Sequence, residues 1–169
     1  MKFLSKILVL FALIGTQLPL AAAPQPSQVV LYLAYAQGSL LIQDAESAVA
    51  YLDQAASLID PSDEEAPIYQ FFLSFGQAIA FDQLGNRAAC QQAIGALCLE
   101  MNRTDGETEA DYATTYSEET AKLVVDLLRA IVATAPSTDV KALLTDLVDE
   151  IAEVMPYEAD ESQGFDFKA

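Results

Sequence analysis

Carboxylates are the only side chains here whose number and spacing suit chemistry. Asp146, Asp149, Glu150 and Glu153 recur at i, i+3, i+4 and i+7, which on a helix sets them along one face. Two acids held together can serve glycoside hydrolysis, and several can hold calcium. The same spacing also describes the wetted side of an amphipathic helix. Val140, Leu143, Leu144, Leu147, Val148 and Ile151 run along the other side, so the four acids read as a solvated face open to a partner. Asp60, Asp63, Glu64 and Glu65 cluster in a turn, but without the alternating ligands and central glycine of a calcium loop. Asp105-Gly106-Glu107 and Glu109 with Asp111 are equally loose.

Most other chemistries are closed. The chain has no histidine, so neither a Ser–His nor a Cys–His nucleophile pair can form. With only two cysteines, the usual zinc sites cannot be built. No glycine-rich phosphate loop follows a strand pattern. The expectation is a protein that is not an enzyme, with no cofactor and no resident metal.

Cys90 and Cys98 fall on one apolar stripe with Ala93, Ile94, Leu97 and Met101. Eight residues of helix separate their Cα atoms by about 12 Å, whereas a disulfide needs roughly 4.4–6.8 Å. Both are expected to be core residues that are not bonded to each other.

Residues 1–23 read as a secretory signal peptide. Lys2 and Lys6 form a basic start, Ile7 to Ile14 an unbroken apolar run, and Ala21 to Ala23 a small-residue exit. The apolar run is shorter than the roughly 20 residues of a spanning helix. An exported location, periplasmic or secreted, is expected, with no stable membrane span once the leader is removed.

The charge balance is lopsided. The chain has 25 acidic and 8 basic residues, a net charge of −17, which becomes −19 without Lys2 and Lys6. Nucleic acid needs clustered Lys and Arg and is not an expected partner. A cationic protein or peptide is the natural complement. Near the C-terminus, Phe165 and Phe167 place two aromatics in an acidic setting, a candidate docking peptide.

These residues must be positioned by helices. Ala and Leu dominate, and no stretch alternates as a strand would. Six segments are predicted in one domain over 24–156. They run over about 27–42, 44–59, 64–84, 86–101, 117–133 and 138–155. Ser27 and Ser117 are expected caps, Pro67 suits a first turn, and Gly85-Asn86 marks a turn. Leu123, Val124, Leu127, Leu128 and Ile131 make the stripe of the fifth helix. Residues 103–116 form a polar loop, and 157–169 an acidic, disordered tail. The fold class is all-α: three antiparallel helical hairpins, either a repeat array or a compact bundle.

The second hairpin carries Ala78, Phe81, Gly85, Cys90, Ile94 and Leu97. That order of small, aromatic, glycine and apolar positions resembles a tetratricopeptide repeat, and with the first hairpin the resemblance covers about 70 residues. The repeat's early Trp/Leu and closing proline are missing, and the first hairpin lacks the turn glycine. The resemblance implies a protein-binding scaffold without chemistry of its own. The functional expectation is therefore an exported, non-catalytic helical scaffold, in its sharpest form an acidic inhibitor or immunity-type protein for a cationic partner. The alternative is a carrier, with the aromatic third helix enclosing a small apolar ligand.

Overall fold

A computed structural model describes residues 27–63, 65–104, 116–154 and 157–158. They fold as six helices: α1 (Gln28–Leu41), α2 (Ala45–Leu58), α3 (Ala66–Gln83), α4 (Arg87–Thr104), α5 (Glu118–Ala133) and α6 (Thr138–Val154). The all-α expectation holds. One departure is a two-residue parallel ladder of β1 (Tyr116–Ser117) with β2 (Tyr157–Glu158). It takes Tyr157 and Glu158 out of the expected tail. Residues 1–26, where the leader is expected, residues 105–115 and the rest of the expected tail lie outside the described residues.

Local chemistry sets the turns. Ser27 caps α1, its hydroxyl accepting from the Val30 N–H at 3.3 Å. Asp44 caps α2, accepting from the Ser47 N–H at 3.1 Å. The Ser47 hydroxyl, and after it this N–H, hold the Asp44 carboxyl below the usual carboxylate range. Pro67 sits in the first turn of α3. Gly85 ends that helix at φ +69°, and the Asn86 N–H reaches back to the Phe81 carbonyl at 2.8 Å, the six-to-one bond of a Schellman ending. The Asn86 side chain then accepts from the Ala89 N–H to start α4.

The core is centred on α3. Phe71, Phe72 and Phe75 are its largest fully buried side chains, joined by Ile79 of the same helix and by Leu33, Leu40, Leu52, Leu97, Leu128 and Ile131 from the surrounding helices. Phe71 meets Phe72 edge-on with ring centroids 5.4 Å apart and stacks on Phe75 at 6.1 Å. Gly76 lets α2 come close: a Cβ there would lie 3.0 Å from a Leu52 methyl.

Three apolar positions differ from the predicted stripes. Cys98 is exposed, not core, while Cys90 is buried. Helix α4 packs chiefly on one neighbour, α3. Its buried arc is therefore narrow, formed by Cys90, Ala93 and Leu97. Cys98 lies about 100° round the helix from Leu97. Leu123 is 63% exposed, because the buried arc of α5 is turned towards Val124, Val125, Leu128, Ile131 and Val132. Leu143 is 41% exposed, standing at the edge of a groove described below. No disulfide joins the cysteines, and α4 runs unbroken through both.

Candidate functional site

The end of α3 is where the third hairpin is fastened. Asp82 is the only charged residue between Ala66 and Asn86, and it is 8% exposed. Its carboxylate accepts from the Ser137 N–H at 2.9 Å and from the Ser137 hydroxyl. Ser137 immediately precedes α6, and its carbonyl accepts from the Lys141 N–H at 3.0 Å. Asp82 therefore places a negative charge at the positive end of the α6 dipole. The next residue, Gln83, donates from Nε2 to the Thr134 hydroxyl at 2.8 Å and to the Leu40 carbonyl at 3.3 Å. Two adjacent side chains thus join α3, α1, the α5–α6 turn and the start of α6. The Gln83 Oε1 is buried without a hydrogen-bond partner among the described residues.

Beside this junction, the first halves of α4 and α6 flank a groove of about 430 Å³. Asp82, Cys90 and Ser137 line it deep down. Arg87 and Asp139 face each other across one end at 3.8 Å, both well exposed. Ile94, Val140 and Leu143 line the other end. Each wall therefore grades from charged to apolar, over two helical turns on α4 and about one on α6. Cys90 belongs to the groove as well as to the core. Burial, with Asp82 and Asp139 nearby, pushes its thiol pKa up, so it is not an activated nucleophile.

The predicted partner-binding acids sit elsewhere. Asp146, Asp149, Glu150 and Glu153 are all exposed on α6, as the spacing predicts, and none lines the groove. Asp149 is engaged by Arg129 of α5, whose Nη2 lies 2.7 Å away and Nε 3.3 Å. The face is thereby partly neutralised from within the chain. Phe165 and Phe167 lie outside the described residues. No group of three metal-ligating side chains occurs among the described residues, and no described helix is long and apolar enough to cross a membrane.

The sequence marks Cys90, Ile94, Val140 and Leu143 as apolar-stripe positions and not as the lining of a groove. Asp82 did leave a signal, as the lone charge within the otherwise uncharged, aromatic-rich stretch of 21 residues spanning 66–86. A charge so placed is buried and bonded, or it marks a site. Arg87, Ser137 and Asp139 left none, because each looks like an ordinary residue at a helix start.

No protein family, curated protein or solved structure matches this chain. The site must be read from its own geometry.

Proposed function

We propose that this is an exported, non-catalytic helical scaffold that binds a cationic protein or peptide. The observation that carries the reading is the groove between the second and third hairpins, with carboxylates at one end and apolar side chains at the other. Long-range charge supports it: 25 acids against 8 bases steer a cationic partner from a distance. Export rests on the basic, apolar and small-residue succession of residues 1–23. The tetratricopeptide resemblance of the second hairpin agrees with a binding role. An inhibitor or immunity-type protein, masking a cationic toxin or enzyme, is the sharpest form of this function.

The carrier alternative draws less support. The α3 aromatics that would line a ligand chamber are packed on one another, with Phe71 and Phe75 each 1% exposed and Phe72 2%.

The test begins with affinity capture at low ionic strength, followed by purification of the captured protein and titration across a salt series. The scaffold reading expects a basic partner whose association slows steeply with salt. Stoichiometric uptake of an apolar fluorescent dye into the folded protein, with no protein partner, would favour the carrier.

A further inference from the structure

The grading of the groove walls defines what fits them, and this inference rests on the scaffold reading above. On α4 the wall runs Arg87, Cys90 and Gln91, then Ile94; on α6 it runs Asp139, Val140, then Leu143. Seven residues of helix span about 10 Å. At the charged end two carboxylates, Asp82 and Asp139, stand against one guanidinium, Arg87. Asp82 already spends its oxygens on Ser137. Among the described residues Asp139 is paired with Arg87 at 3.8 Å, and both side chains are more than 70% exposed. Such a pair contributes little and opens readily. At the apolar end Leu143 is 41% exposed, beside half-buried Ile94 and buried Val140.

We infer that the groove between α4 and α6 receives a two-turn helical segment of a partner protein, carrying a lysine or arginine followed by apolar residues one and two turns later. The cation takes Asp139 from Arg87, and the apolar side chains cover Ile94, Val140 and Leu143. The periodicity of a helix places side chains on one face at i, i+3/i+4 and i+7, the two-turn repeat of the α4 wall from Arg87 to Ile94, while Asp139 to Leu143 on α6 covers one turn of it. The occupant is cationic rather than acidic because its charged end meets a net negative pocket on a strongly negative protein. The side chains that grip the occupant belong to different hairpins, so only a segment reaching both walls gains the full contact.

The experiment uses a fluorescently labelled, alanine- and glutamine-based helical peptide with one lysine, then leucines three, four and seven residues on. A second peptide has glutamate in place of that lysine. Binding to the full chain is followed by anisotropy at low salt. The lysine peptide is expected to bind about tenfold tighter than its glutamate partner. Asp139→Lys should reverse that preference, and Leu143→Glu should abolish binding of both. Asp139 and Leu143 are exposed enough that each variant keeps its fold, checked by circular dichroism melting. Unchanged preference in Asp139→Lys would overturn the inference. So would equal binding of hexylammonium and the peptide, which would make the groove a small-amine site. The triple reversal Asp146→Lys, Glu150→Lys, Glu153→Lys separates the two levels. If it abolishes binding while Asp139→Lys does not, a cationic partner docks on the outer face of α6: the groove fails and the scaffold reading survives. If the captured partner is not basic, or nothing is captured, the scaffold reading itself fails, whatever the peptide does.

Discussion

The Asp82 carboxylate and Ser137 are 55 residues apart in sequence and joined by two hydrogen bonds, one from the Ser137 N–H at 2.9 Å and one from its hydroxyl. The pair stitches the last turn of α3 to the first turn of α6 from a nearly buried position. Asp82→Ala should therefore lower stability by about 2 kcal/mol, the scale of charge-assisted bonds lost with one partner left unpaired. Ser137→Ala keeps the backbone bond and should cost about half as much. Urea denaturation of the two variants checks both values. Equal losses would mean that the hydroxyl carries the whole interaction.

The third hairpin should come loose as a unit. Its polar anchors are concentrated in Asp82 and Gln83. In Asp82→Ala/Gln83→Ala, amide exchange of α5 and α6 should speed up while α1, α2 and the middle of α3 keep their protection. The Gln83 part of the effect should be small, because truncation also removes a buried, unpartnered Oε1. Hydrogen exchange read by mass spectrometry on peptides from each helix distinguishes this from uniform loosening.

Alkaline pH should find a specific weak point at Tyr69. This phenol is 5% exposed, and burial, with its bond to Glu65 next, pushes its pKa up to about 12. The neutral phenol is the form the fold favours. Its contribution is complete below the ordinary tyrosine value near 10 and is lost as pH rises from there through about 12. Each pH unit crossed in that window should remove up to about 1.4 kcal/mol. Tyr69→Phe should flatten this slope. Urea melts at stepped pH, with tyrosinate absorbance recorded in parallel, test it.

The two thiols should react at very different rates. Cys98 is exposed, whereas Cys90 is buried and its pKa is raised. A chromogenic disulfide reagent should modify Cys98 first in the folded protein and Cys90 only on opening or unfolding. Mass spectrometry of the unreduced chain should find no peptide pair linking them. Prompt modification of both would place Cys90 on a mobile part of the groove wall.

The helical framework was legible because its signals are local. Ser27 caps where an oxygen precedes an apolar period, Pro67 opens a helix, and Gly85 closes one. Periodicity alone could not say how many neighbours each helix has. Cys98, Leu123 and Leu143 were expected to be buried because a stripe marks a direction and not a width. The width is set by tertiary packing, and α4 has essentially one neighbour. The groove was illegible for a related reason. Its walls come from helices 50 residues apart in the chain, Arg87 and Ser137 marking their near ends, and no local pattern announces that they face each other. The acids of α6 were found because they share one helix; Asp82 and Ser137 were missed because they do not.

The junction at Asp82 and Gln83 makes the gap between α4 and α6 a thermodynamic variable. The groove keeps its width only while the third hairpin stays docked, so any occupant that touches both walls must also favour docking. Occupancy and cohesion are then linked functions of one equilibrium. A tight occupant would register as a higher melting temperature and slower exchange in α5 and α6, even though neither Asp82 nor Gln83 need touch it. Conversely, a substitution that weakens the Asp82–Ser137 bond would lower affinity at a distance, by the fraction of molecules whose hairpin has already swung away.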